Sequence, residues 1–140
     1  MKQQPSRIFY KKLHKPSRSV LCLLDSKTFY MKKGIYGLKS LENGRLNYKQ
    51  IEAGRKTIRR TVSKQASITI RPFTYVSFTK KGLGLRMGKG KGSHHIWICP
   101  VLKGQIIYEV SGASRNRSLL ALRKASDKMP FNCAVTKLVY

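Results

Sequence analysis

The chain has 140 residues, and 30 Lys and Arg face 5 Asp and Glu for a formal net charge of +25 at pH 7. A compact body with that balance repels itself, which excludes a life apart from a polyanion; nucleic acid fits best, because each phosphate neutralised releases a counterion. Hydrophobic residues at 41% exclude a purely disordered basic tail, and no apolar run approaches the ~18 residues that a membrane-spanning helix requires.

Residues 1–19 read as an extended basic arm. Lys2, Arg7, Lys11, Lys12, Lys15 and Arg18 alternate with Ile8, Phe9 and Tyr10, while Pro5 and Pro16 forbid one continuous helix. A frayed terminus is the plain alternative. The arm is rich in Arg, Lys and Ser and has no acid before Asp25, a composition that an organellar transit peptide shares. Residues 20–140 read as one domain. Its first part, 20–46, is mixed: Val20-Leu21-Cys22-Leu23-Leu24 is an apolar run ended by Asp25, and turns are expected at Gly34, Gly37 and Asn43-Gly44.

A helix is predicted from Asn47 to about Lys64, with Asn47 as cap and Gln50 at the capping-box spacing. Ile51, Ile58 and Val62 form its apolar stripe, with Gly54 between them. Arg55 and Arg59 make one cationic row, and Lys56, Arg60 and Lys64 a second, relieved only by Glu52. Such a helix repels itself unless an anion lies alongside; a merely solvated basic face is the alternative. Ser67–Phe73 and Tyr75–Thr79 read as strands. The glycine-dense, cationic segment from Lys80 to Ser93 cannot be regular structure. His95–Cys99 and Gln105–Val110, joined through Pro100 and Lys103-Gly104, resemble a hairpin with a longish loop. A second helix is expected from about Ser114 to Met129, with Ser118, Ala121, Leu122, Ala125 and Met129 on one face and Pro130 as stop. Cys133–Tyr140 completes the chain as a strand. The fold class is therefore α+β: two helices on a mostly antiparallel sheet, plus the basic arm and the Gly/Lys-rich loop.

Arg86-Met87-Gly88-Lys89-Gly90-Lys91-Gly92 is the sharpest local feature. Glycines at alternate positions permit positive φ and a close backbone approach, successive bare N–H groups can hold an anion, and Arg86, Lys89 and Lys91 add charge. A flexible linker is the alternative. A nucleotide-binding P-loop is rejected: Gly84 and Gly88 enclose three residues rather than four, and Gly90 rather than Ser or Thr follows Lys89.

Catalytic and metal chemistry find little support. Asp25, Glu42, Glu52, Glu109 and Asp127 are scattered, so no enzyme and no cofactor are expected. Cys22, Cys99 and Cys133 lack a Cys-x-x-Cys spacing and read as small hydrophobes in a reducing compartment. His94 and His95 are expected on opposite faces as loop-end contacts rather than as a metal pair, and His14 as an RNA contact among Lys11, Lys12 and Lys15. Cations spread over arm, helix and loop favour folded RNA over duplex DNA, and no zinc finger, zipper or helix-turn-helix spacing appears. A DNA-packaging protein and an RNA-processing enzyme remain the rival classes.

The Arg86–Gly92 loop resembles the signature of the bacterial-type large-subunit ribosomal protein L-sixteen family, the universal group that includes the L-ten-e proteins. Lys11-Lys12-Leu13-His14-Lys15, Gly37-Leu38-Lys39, Gly44-Arg45-Leu46 and Gln50-Ile51-Glu52-Ala53-Gly54-Arg55 agree in order. So do Ile68, Ile70 and Arg71, Trp97, Lys103-Gly104, Tyr108-Glu109, Gly112, Lys128-Met129-Pro130 and Val135-Thr136-Lys137. The resemblance implies a structural constituent of the large subunit that binds rRNA near the aminoacyl-tRNA cleft and the peptidyl-transferase centre, supports tRNA accommodation, and meets neighbouring ribosomal proteins. It implies contacts to rRNA or tRNA from Lys11, Lys12, His14, Lys15, Arg18, Arg45, Arg55, Lys56, Arg59, Arg60, Lys64, Arg71 and residues 86–92. The family's arm begins where this chain begins, so a permanent arm is expected rather than a cleaved presequence. Departures fall at Val20–Lys33, at Thr74–Phe78 in place of a Phe-Pro-Asp-Lys-Pro-like turn, and at Arg115 and Arg117, where the second helix normally opens with acids. With a Lys-, Ile- and Tyr-rich, Ala-poor composition, these departures resemble a mitochondrially encoded member; a bacterial cytoplasm or a plastid is the alternative.

Overall fold

In the computed structural model residues 4–6, 10–14 and 28–138 are described. Lys15, Arg18, the Val20–Leu24 run, Asp25 and the last two residues lie outside them.

Among the described residues, seven strands and two helices follow in the order β1 (Tyr36–Ser40), β2 (Gly44–Asn47), α1 (Tyr48–Thr61), β3 (Ser67–Ile70), β4 (Val76–Lys80), β5 (Ser93–Val101), β6 (Ile106–Ser111), α2 (Arg115–Ser126) and β7 (Cys133–Lys137). The strands form two antiparallel sheets rather than one: β3-β6-β1-β7 and β2-β5-β4. The helices pack on each other, α2 also against β7 and β1, and α1 against β2 and β3. Leu38, Leu46, Ile51, Ile58, Ile107, Tyr108, Val110 and Leu122 fill the space between. Each fully buried Leu or Ile there contributes roughly 1.5–3 kcal/mol.

The expected β5–β6 hairpin does not exist. β5 has both edges taken by β2 and β4, and β6 has both edges taken by β3 and β1. The turn between them carries the chain from one sheet to the other. Gly104, at φ +91°, allows that turn, its N–H donates to the Ser40 carbonyl at 2.8 Å, and the Ser40 N–H donates to the Gln105 carbonyl at 2.9 Å. β6 is a central strand, so Ile106–Val110 is buried without interruption and shows no alternation.

Gly37, expected in a turn, lies within β1; a Cβ there would come 2.6 Å from Met31 Sδ and 3.2 Å from the Tyr108 carbonyl oxygen. Close approach rather than a turn explains this glycine. β3 stops at Ile70, short of Phe73, because Pro72 has no N–H to offer a ladder.

α1 begins where the capping pattern predicts. Asn47 is extended at φ −97° and ψ 154°, and its N–H donates to Gln50 Oε1 at 3.0 Å. The helix ends at Thr61, three residues early, because Val62 turns to ψ 160° and buries its side chain. Gly54 is where α1 meets β6: a Cβ would sit 2.5 Å from the Tyr108 hydroxyl, which donates to the Ile51 carbonyl at 2.7 Å. α2 buries Ser118, Ala121, Leu122 and Ala125 as expected, then gives way after Ser126 to turns that seat Met129 against the core.

Candidate nucleic-acid interface

The segment between β4 and β5 projects from the three-stranded sheet and has no helix or strand of its own. Gly84, Gly88 and Gly90 have φ of +80°, +96° and +80°, and Lys89 between the last two has φ +52°. Three consecutive residues thus lie in the left-handed region, a conformation only glycine adopts without cost. A Cβ at Gly84, Gly88 or Gly90 would meet nothing within 4 Å. Conformation, not crowding, demands these glycines. The loop encloses an open concavity of about 480 Å³ lined by residues 81, 82 and 84–93, Arg86, Lys89 and Lys91 among them. Leu83 and Met87 stand almost wholly in solvent beside those cations, and Leu85 is largely exposed. One loop thus presents both charge and apolar surface outward.

The fold brings the basic arm to this loop. Lys12 Nζ donates to the Lys91 carbonyl at 3.2 Å, and Lys91 Nζ donates in return to the Leu13 carbonyl. One residue earlier, the Ser77 hydroxyl donates to the Lys11 carbonyl. That hydroxyl has a single hydrogen, so His94 Nδ1, 2.8 Å from Ser77 Oγ, must donate to it. Burial first, then the charge of Lys11, lowers the His94 pKa below its ordinary value and favours the neutral ring. Its ring also leans on Trp97, with centroids 4.6 Å apart. His95 is the extra residue of a bulge opposite Phe78 and Thr79 and faces solvent. The two histidines diverge as expected but sit within β5 rather than at a loop end. Sequence reasoning assigned no role to Ser77; a lone Ser in an apolar strand, facing a histidine strand, was the available signal.

The α1 cations divide into two kinds. Lys56, Arg60 and Lys64 are exposed, as is Arg45 in β2. Arg55 makes a two-bond pair with Glu52, at 2.7 and 2.9 Å, which lowers the Glu52 pKa. Arg59 turns its guanidinium onto the carbonyls of Lys64 and Ala66, at 3.2 and 2.9 Å, and ties down the chain beyond the helix. Arg71, expected among the RNA contacts, has a partner within the fold. Its Nη1 lies 2.8 Å from Glu109 Oε1, with side-chain exposures of 12% and 0%, so it works inside the fold. Glu109 also accepts the backbone N–H groups of Lys32, Lys33 and Gly34, the last two at 2.8 and 2.9 Å. This buried anion in its cradle was missed as a structural centre. A single acid inside the apolar run Ile106–Val110 was the sign of it.

Among the described residues only two ion pairs form, Arg55–Glu52 and Arg71–Glu109. Glu42 accepts from Asn132 and Asp127 is exposed beyond α2, so the acids leave most cations without an internal partner. No three metal-ligating side chains gather among the described residues, and none of their helices is long and apolar enough to cross a membrane. Cys99 and Cys133 are free, and burial pushes both thiols up to about 11, which leaves them unreactive. An α+β body whose arm and loop join into one cationic surface has the character of a polyanion-binding protein.

Comparison with known proteins gives the class its family. Residues 5–136 match the family described as Ribosomal protein L16p/L10e. The chain is 43% identical over 138 residues to the "Large ribosomal subunit protein uL16" of Buchnera aphidicola subsp. Cinara cedri, covering 97% of this chain and 98% of that one. It is 40% identical to the protein of the same name in Psychrobacter arcticus, with 96% of each chain covered, and 37% identical to that of Pseudoalteromonas atlantica. The chain belongs to the ribosomal protein L16p/L10e family, a family of structural components rather than enzymes.

Proposed function

We propose that this protein is a structural constituent of the large ribosomal subunit that grips rRNA with the joined arm and loop. In this reading the loop stands beside the aminoacyl-tRNA cleft and supports tRNA accommodation. Carrying the reading is one observation: the arm (Lys11, Lys12) and the 86–92 loop lie together by reciprocal lysine–carbonyl bonds, and among the described residues no acid pairs with them. Phosphate supplies the missing anion, and the left-handed run at Gly88–Gly90 offers N–H groups for it. His14, Lys15 and Arg18 extend the arm's contact; Arg45, Lys56, Arg60 and Lys64 meet rRNA elsewhere. Arg55 and Arg59 contribute only if RNA draws them from their present bonds. The exposed Leu83, Leu85 and Met87 suit insertion among bases or against neighbouring proteins. Membership in a ribosomal protein family supports the assembly, and the bacterial relatives support a bacterial-type ribosome. The Lys-, Ile- and Tyr-rich composition is the support for a mitochondrial ribosome, with a bacterial cytoplasm or plastid as the alternative.

Sedimentation tests the assembly. The chain is expected to travel with large subunits at moderate salt, and Arg86→Gln/Lys89→Gln/Lys91→Gln to reduce aminoacyl-site tRNA occupancy in the subunits that retain it. A chain found only in the unbound fraction, or a variant with unchanged tRNA occupancy, contradicts the respective half of the reading.

A further inference from the structure

The α2 helix divides cleanly into two faces. Inward, Ser118, Ala121, Leu122 and Ala125 are buried; outward, Arg115, Arg117, Arg123, Lys124 and Lys128 are all exposed. At 1.5 Å per residue these cations extend over ~20 Å of the helix and the turn that follows it. None makes an ion pair or a side-chain hydrogen bond among the described residues. Of the described acids, Glu52, Glu109 and Glu42 are engaged elsewhere, and Asp127 stands just beyond the helix end.

The dipole of α2 explains half of this pattern. Arg123 and Lys124 lie in the last turn, where positive charge is favoured, but Arg115 and Arg117 crowd the first turn, where it is disfavoured. An external anion beside the first turn would offset the cost of Arg115 and Arg117 there. The face also stands apart from the loop: α2 packs on the four-stranded sheet, whereas the loop rises from the three-stranded one.

We infer that the outward face of α2 is a second RNA-docking surface, which seats the phosphate backbone of a folded RNA helix independently of the arm and loop. The inference rests on the ribosomal reading above and adds a contact to it. An acidic protein would offer complementary charge too, but a protein interface needs an apolar centre, and Leu120, at 48% exposure, is the only large apolar side chain exposed on this face. Cations spread across the exposed side of the helix, with little apolar surface among them, suit duplex RNA, which is held by its backbone and shape rather than read in its deep groove.

The test measures the affinity of the full chain for a folded large-subunit rRNA fragment across a salt series. In Arg115→Gln/Arg117→Gln/Arg123→Gln/Lys124→Gln, the slope of log affinity against log salt is expected to shrink by about 3, at ~0.7–0.9 for each phosphate that the variant no longer neutralises. A variant with Lys at the three Arg positions should keep nearly the full slope, and circular dichroism should show all variants folded, since every substituted side chain is in solvent. A slope within about half a unit of the parent's overturns the proposal. So does an unchanged slope joined to lost incorporation into subunits, which would mark the face as a protein contact. Should the parent itself ignore the RNA, the ribosomal reading falls; should only a loop variant lose slope, that reading stands and the α2 surface alone fails.

Discussion

Two anion cradles in this molecule are built from the same parts and differ in whether the anion comes with them. At Glu109 the backbone N–H groups of Lys32, Lys33 and Gly34 and the guanidinium of Arg71 close around a carboxylate of their own chain. At Gly88–Gly90 three consecutive residues have positive φ and Arg86, Lys89 and Lys91 supply charge, but among the described residues no carboxylate pairs with them. The difference is partner, not chemistry. The inner cradle is complete, buried and structural; the outer one is open and waits for phosphate. The sequence uses Arg, Gly and bare backbone in both, so residue type alone does not tell a structural cation from a functional one. Arg71 is the case in point.

Substitutions break the comparison apart in order of size. Glu109→Ala removes the carboxylate that the Arg71 guanidinium and three backbone N–H groups share, and should lower unfolding free energy by ~3–5 kcal/mol in a urea titration. Gly34→Ala should cost ~1–3 kcal/mol in the same titration, because the new Cβ meets Glu109 Cβ at 2.6 Å and the Val110 nitrogen at 2.9 Å. The outer cradle should respond in the opposite sense. Arg86→Gln/Lys89→Gln/Lys91→Gln should change stability by no more than ~0.5 kcal/mol while reducing the salt slope of RNA binding by about 2–3. A destabilised loop variant, or a slope that does not move, would erase the distinction.

The smallest effect concerns the bond that brings the arm to β4. His94 has its pKa lowered by burial and by Lys11, so the unfolded chain binds its proton more readily than the folded one. The stabilisation it gives is complete above the ordinary histidine value of 6.5 and fades as pH falls below it. Thermal melts should therefore show a modest fall in Tm on acidification through that range, absent in His94→Gln. A Tm that rises instead would mean that His94 is held in its charged form.

How much of this was legible in the sequence depended on whether the signal was local. α1 was legible from its cap, its stripe and its spacing, and so was the face of α2, because both are decided within a few turns of chain. The loop's irregularity was legible from its glycines. Strand pairing was not: the segments that form β5 and β6 have the length and turn of a hairpin, yet they belong to different sheets because β2, β4, β1 and β3 compete for their edges. Gly37 looked like a turn because nothing local reveals Met31 and Tyr108 pressing on it. At the candidate site, the cationic residues were legible as a set, but their division was not. Only the fold assigns Arg71 to Glu109, Arg59 to two carbonyls, and Lys12 to Lys91.

The central claim is that the unanswered cations of this chain are matched by RNA phosphate. Binding of the full chain to large-subunit rRNA, measured from low to high salt, tests it most directly. With ~8 phosphate contacts, log affinity should fall by about 6–7 units per tenfold rise in salt. A nearly flat line would contradict the account.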